Sequence, residues 1–268
     1  MNKDDEPRKA YKTIVLSDIH LGASESKAKE LVRFLKRHTC ETLILNGDII
    51  DGWQLRRGGD WKKKHTRFFR VVLKMTEKQN TEVIYVRGNH DDFLDNVLPF
   101  SIGNFSIVRD YIYVSHGKKY FVLHGDVFDS ITTNMKWLAK LGDIGYTLLL
   151  KINKIYNNYR IKRGKPYYSL SREIKAKVKS AVSYIGDYEK ELVDLAQSKN
   201  YAGVICGHIH HPAITQYDNF VYMNSGDWVE SLSALVEDFD GKWSIVTYEQ
   251  FVKEINEAEN NDKIQDTE

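Results

Sequence analysis

The chain has 268 residues, 42% hydrophobic and 28% charged, with 39 Lys and Arg against 37 Asp and Glu and a formal net charge of +2. This composition fits one large or two small globular domains with a sizeable core, and its balanced charge gives no argument for a nucleic-acid partner. The two cysteines, Cys40 and Cys206, sit in or beside apolar runs, which argues against a disulfide framework and for small buried hydrophobes in a reducing compartment. The opening MNKDDEPRKAYK lacks the apolar core of a signal peptide, and no run approaches the roughly 18 apolar residues of a membrane span. A cytoplasmic address is the expectation.

In chain order, KTIVLSDIH predicts a buried strand at Thr13 to Leu16, followed by Ser17, Asp18 and His20. SESKAKELVRFLKRH has helical spacing, with Leu31, Phe34 and Leu35 as its apolar stripe. ETLILNGDIID predicts a strand at Thr42 to Leu45 that ends in Asn46, Gly47 and Asp48. WKKKHTRFFRVVLKMTEKQ predicts a second helix, and TEVIYVRGNHDD a third strand ending in Asn89, His90 and Asp91. FSIVRDYIYVSHGKKYFVLHGD then predicts two strands joined by a His-Gly-Lys turn, ending in His124 and Asp126.

Residues 128–199 carry few strand signals and predict three or four helices, an insertion between His124 and His208. YAGVICGHIHH returns to a strand that ends in His208, His210 and His211, with Gly207 expected to let the backbone turn tightly. Antiparallel strands follow, with turns at Asp218-Asn219 and Asp240-Gly241. From about Lys253 the chain is polar and is expected to fray. The organisation expected is a core of residues 11–127 and 200–250, a helical insertion at 128–199 and a polar tail at 251–268.

Each strand-like run delivers its polar residues at its C-terminal end, where loops of layered α/β proteins converge on one crevice. The residues delivered are Asp18, His20, Asp48, Asn89, His90, His124, His208 and His210: carboxylates, imidazoles and one amide, without a thiolate. Mixed nitrogen and oxygen donors suit Mn²⁺, Fe²⁺, Co²⁺ or Zn²⁺ better than Ca²⁺ or Mg²⁺. They are too many for one tetrahedral ion, and two divalent metal ions would use them well.

SDIH, NGDIID, RGNHDD, LHGD and CGHIHHP together resemble the sequence blocks of the calcineurin-like metallophosphoesterases, in that family's order. The resemblance implies a four-layer α-β-β-α sandwich and a two-metal phosphoesterase. It implies that Asp18, His20 and His210 bind the first metal, that Asn89, His124 and His208 bind the second, and that Asp48 bridges them. It further implies that His90 contacts the phosphate and protonates the leaving oxygen, with Asp91 orienting its ring. His211 has no ligand role in the pattern; it reads equally well as a substrate-facing rim residue or as a structural one. Two such cations neutralise phosphoryl oxygens and activate a water, with Mn²⁺ the first expectation.

Within that superfamily the chain is most similar to the bacterial UDP-2,3-diacylglucosamine pyrophosphatases of lipid A synthesis. Trp53 after GDIID, Phe93 and Leu94 after GNHDD, the insertion after HGDVFD, and NSGDWVES carry this. The implied substrate is an acylated sugar nucleotide, cut to lipid X and UMP. His90 stands where the best-studied branch has arginine. A phosphodiesterase or nuclease acting on another substrate is therefore the alternative, and a scaffold that has lost the chemistry is a third reading. The insertion mixes Leu148, Leu149, Leu150 and Ile152 with Tyr146, Tyr156 and Tyr159, beside a basic run from Lys151 to Lys179. That composition suits a lid over acyl chains or a peripheral contact with the anionic inner-membrane surface, and equally a helix face in water. No nucleic-acid partner is expected.

Overall fold

The apolar runs sort into two sheets because most of them are apolar on both faces. In the computed structural model, which describes residues 8–128, 163 and 185–265, the order is β1 (Lys9–Leu16), α1 (Ala28–Arg37), β2 (His38–Asn46), α2 (Gly52–Arg56), α3 (Lys63–Gln79) and β3 (Glu82–Val86). A 3-10 segment (Asn89–Val97), β4 (Phe100–Ile102), β5 (Phe105–Val108), β6 (Tyr111–Ser115) and β7 (Lys118–Val122) follow. After a helical run at 185–198, here α4, come β8 (Gly203–Cys206), β9 (Ala213–Tyr217), β10 (Phe220–Asn224), β11 (Ser233–Glu237), β12 (Trp243–Thr247) and α5 (Tyr248–Gln265).

The first sheet has the order β12-β11-β1-β2-β3-β5-β4 and the second β6-β7-β8-β10-β9. Strands β1, β2, β3 and β5 run parallel, as do β7, β8 and β10, so their C-terminal ends share an edge within each sheet. Along β1 to β3, alternate residues face opposite ways. Ile14, Leu16, Leu43, Leu45, Val83 and Tyr85 meet Leu31, Phe34 and Leu35 of α1 and Phe68, Val72 and Met75 of α3. Val15, Ile44, Ile84 and Val86 meet Tyr113, Tyr120, Val122, Ile205 and Met223 of the second sheet. Phe34, Phe68 and Ile14 are fully buried, each contributing about 2 kcal/mol by removing apolar surface from water. The mixed α/β sandwich expected from the sequence is the fold observed.

Two local expectations are corrected. FSIVRDYIYVSHGKKYFVLHG holds three strands, not two: β5 belongs to the first sheet, and only β6 and β7 form the hairpin through His116 and Gly117. Residues 248–265 form a helix in place of a frayed tail. Phe251 is buried, and Val252 and Ile255 pack beside it on the same core, a short apolar stripe among many charges.

The chain divides into two units, Met1–Asp126 with Val193–Glu268, and Val127–Leu192. The candidate metal ligands all lie in the first. Of the helices expected across 128–199, residues 129–184, with their leucines, tyrosines and lysines, fall outside the described residues apart from residue 163, and residues 185–198 form α4.

Candidate metal centre

Backbone hydrogen bonds continue past the strand ends and lock the loops that carry the site. Asp18 N donates to Gly47 O at 3.0 Å, His20 N to Asp48 O at 2.9 Å and Leu21 N to Ile49 O at 2.9 Å. Gly207 N donates to His124 O at 3.0 Å, and Trp228 N to Asp18 O at 3.1 Å. Several residues of these loops occupy the left-handed region: φ is 52° at Asp18, 50° at His20, 53° at Asp48, 70° at His208 and 54° at His210. Non-glycine residues enter that region at a cost of about 1 kcal/mol or more each, so strain gathers on the side chains singled out from the sequence.

Asp18, His20 and His210 bring one ligand atom each within 4.8 Å of one another; so do His20, Asp48 and His90, and Asp48, His124 and His208. Asp18 Oδ1 has the Nε2 atoms of His210, His20 and His124 at 3.1, 3.9 and 4.0 Å. Asp48 Oδ2 has those of His124, His20 and His90 at 3.3, 3.8 and 3.9 Å. Asp48 thus lies between the two groups of residues. The other oxygens of the two carboxylates are engaged: Asp18 Oδ2 accepts from His208 N at 2.9 Å and Asp48 Oδ1 from His90 N at 2.8 Å.

The donor set fits divalent cations. Asp18 Oδ1, Asn89 Oδ1 and His124 Nε2 are buried and make no hydrogen bond. Buried polar atoms seldom go unsatisfied, and divalent cations satisfy such lone pairs. The tautomers agree. His124 Nδ1 donates to Asn46 O at 2.9 Å and His20 Nδ1 to Asp51 Oδ2 at 3.2 Å, which leaves each Nε2 lone pair toward the centre.

Asp51 was not singled out from the sequence, and it corrects the role expected of Asp91. Asp51 Oδ1 accepts from His90 Nδ1 at 3.0 Å, while its second oxygen serves His20. Asp91 does not orient the His90 ring. Its buried carboxylate accepts from Ile49 N, Ile50 N, Gly88 N and Tyr85 Oη at 3.2, 2.9, 3.3 and 2.7 Å, and so ties the 49–50 loop to the loop after β3. The second aspartate of NGDIID was the available signal. Gly207 also differs from expectation. Its own φ is not positive; the turning falls on His208 and His210. A Cβ at Gly207 would stand 2.5 Å from Ser17 Oγ and 2.6 Å from Asp18 Oδ2, so glycine is required there for close approach. His211 is exposed and belongs to none of the three clusters.

The electrostatics follow from proximity. Burial pushes the Asp18 carboxyl up, but His210 and His124 outweigh it and hold the group well below the usual carboxylate range. Asp48 is held down in the same way, by His124 first and then His20 and His90. Burial opposes charge on His124, yet Asp48 and Asp18 hold it up to about 10; Asp18 likewise holds His210 up to about 9. A field that attracts protons this strongly attracts divalent ions too. Burial and the Asp48 charge push Asp91 up to about 7.

Carboxylates, imidazoles and an amide gathered at the strand ends of a two-sheet sandwich define a metal-dependent phosphoesterase. The model of the calcineurin-like phosphoesterases matches residues 11–212, and the chain belongs to that family. Its members use a dinuclear divalent-metal site, and the clusters above are the candidate ligands for it. The chain is 24% identical to a UDP-2,3-diacylglucosamine hydrolase of Haemophilus influenzae (strain PittGG), over 86% of this chain and 97% of that one. It is 21% identical to a protein of the same name from Yersinia pseudotuberculosis serotype O:1b (strain IP 31758), over 75% of this chain and 83% of that one. Among solved structures it is similar to Yfce, a phosphoesterase from E. coli, at 15% identity and a TM-score of 0.41, over 88% of this chain and 98% of that one. No described helix is long and apolar enough to cross a membrane.

Proposed function

We propose that the protein hydrolyses the diphosphate of UDP-2,3-diacylglucosamine, giving UMP and the acylated sugar phosphate lipid X. The observation that carries this reading is the extent of the match to the Haemophilus protein of that name, 97% of whose length aligns here, beyond the 11–212 span common to the wider family. In this reading Asp18, His20 and His210 would hold one divalent cation and Asn89, His124 and His208 a second, with Asp48 available to both. Mn²⁺ is the first choice, and the donor set also accepts Fe²⁺, Co²⁺ or Zn²⁺. When bound, the cations supply neutralisation of the phosphoryl oxygens and an activated water. The protein's own groups do the rest. Asp51 fixes the tautomer of His90 so that Nε2 faces the centre, 3.9 Å from Asp48 Oδ2. There the ring acts as the imidazolium, its Nδ1–H held by Asp51: Nε2–H binds a phosphoryl oxygen and gives its proton to the oxygen that leaves, which returns the ring to the Nδ1–H tautomer. His211, exposed on the rim, contacts the substrate outside the metal pair.

The reading extends to a cytoplasmic place at the inner-membrane surface. The test is incubation of Mn²⁺-replete protein with UDP-2,3-diacylglucosamine. Metal-dependent release of UMP and the acylated sugar phosphate is expected. An intact substrate beside a rapidly hydrolysed chromogenic diester would overturn the substrate. The paired His90 and Asp51 favour one second reading, a phosphodiesterase for another substrate, because a positioned proton donor matters most when the leaving oxygen is basic.

A further inference from the structure

His90 is held by more than its hydrogen bond to Asp51. The indole of Trp53 lies over the imidazole, ring centroids 4.2 Å apart and planes inclined by 32°. On another side the His20 ring meets it edge-on at 4.7 Å and 89°. Trp53 is itself tethered: Nε1 donates to Asp92 Oδ2 at 3.3 Å, and Arg56 Nη2 grips both oxygens of Asp92 at 2.9 and 3.1 Å. Gly52 permits the approach, since a Cβ there would stand 2.8 Å from the His90 carbonyl oxygen and 2.9 Å from Phe93 Cδ1. The indole joins neither hydrophobic core and is 37% exposed, so core packing does not account for a tryptophan at this position.

One hydrogen bond at Nδ1 fixes a point on the imidazole but leaves the ring free to swing about it. A flat surface against one face removes that freedom. We propose that Trp53 is a positioning residue for His90: its indole, braced by Asp92 and Arg56, sets the plane of the imidazole so that Nε2 meets the leaving oxygen. The inference rests on the proton-donor role given to His90 under the proposed function. In that step a water oxygen bonds to phosphorus as the P–O bond to the leaving group breaks; the leaving oxygen keeps the electron pair and takes the Nε2 proton of the imidazolium, while Nδ1–H stays on Asp51.

The experiment compares wild type, Trp53→Ala, Trp53→Phe, His90→Ala and the His90→Ala/Trp53→Ala double variant, all full-length and Mn²⁺-loaded. The substrates are aryl phosphodiesters with leaving groups from p-nitrophenol to phenol. Trp53→Ala is expected to lower kcat about tenfold or more on the phenyl ester and less than about threefold on the p-nitrophenyl ester, with KM little changed. Trp53→Phe should recover most of the loss, and the double variant should be no slower than His90→Ala. A uniform loss across leaving groups, or a change in KM alone, would overturn the inference while leaving the role of His90 intact. If His90→Ala itself shows no dependence on the leaving group, the donor role fails and the inference fails with it. A readout independent of turnover is the proton NMR signal of the His90 ring in Zn²⁺-loaded protein, assigned by its loss in His90→Ala. It should lie upfield under the indole and move downfield in Trp53→Ala; an unmoved signal would rule out the stack.

Discussion

Asp51 lies 3.0 Å from the Nδ1 of His90, from the far side of the loop that also carries Asp48. Asp91 follows His90 in the chain and yet serves a different set of donors. The two aspartates should therefore fail differently. Asp51→Asn replaces one of two acceptors that receive His20 and His90, and is expected to lower kcat by roughly two orders of magnitude with a modest change in melting temperature. Asp91→Asn turns an amide N–H toward backbone N–H groups in a buried site and should cost about 2–3 kcal/mol of stability. Melting curves and kcat measured together on both variants check this. A fully stable Asp91→Asn enzyme with lost turnover would reverse the assignment.

Asn89 offers a buried amide oxygen with no hydrogen bond, and Asp48 stands between both groups of ligands. Asn89→Ala is expected to keep one tightly held metal and to lose most of the second; Asp48→Ala should lose both and all turnover. Elemental analysis after gel filtration should give about two metals per chain for wild type and about one for Asn89→Ala. A single equivalent in the wild type would remove the dinuclear reading.

These positions were legible in the sequence because the strands announce themselves. Ile14, Val15, Leu43 and Ile44 are apolar in succession because both faces of β1 and β2 are covered, so polar residues stand out where each run stops. Which carboxylate meets which imidazole was not legible. That depends on the path of residues 47–52, where Gly47 and Asp48 both have positive φ, and no spacing rule records it. Trp53 stood out only by resemblance, since its partners His90 and Asp92 lie about 40 residues on. Strand β5 was fused with β6 because a change of sheet leaves the apolar pattern intact. The stripe of α5 was hidden among charges, with Phe251 as its deeply buried member.

The left-handed backbone at His210, with φ of 54°, predicts a contrast between two variants that both remove the imidazole. His210→Gly relieves the strain, whereas His210→Ala keeps it. In metal-free protein the glycine variant should be the more stable by about 1 kcal/mol, despite the larger backbone entropy of its unfolded chain. The side chain is partly exposed, so lost packing should weigh little in the comparison. Urea denaturation of the two variants decides it. An alanine variant more stable than the glycine variant would show that the surrounding hydrogen bonds hold this conformation without strain.

Away from the site, His38 makes stability depend on pH. The ring is buried, tilted against Phe34 at 4.1 Å and Phe251 at 5.2 Å and stacked with Tyr11 at 5.6 Å, and its Nδ1–H donates to Phe34 O at 2.8 Å. Burial pushes its pKa down to about 4, only partly opposed by the bond to Phe34 O. The unfolded chain binds this proton near pH 6.5 and the folded chain only near 4. Between those values the unfolded state holds more protons, so the contribution is complete above about 6.5 and is lost as the pH falls toward 4. A shift of this size corresponds to roughly 3 kcal/mol. His38→Phe keeps an aromatic ring in the stack and removes the titration. The stability of wild type relative to His38→Phe, from urea denaturation at a series of pH values, should therefore fall by about that amount between pH 7 and pH 4. Parallel pH profiles would show that His38 reaches water, or finds a partner for its charge, before the fold gives way.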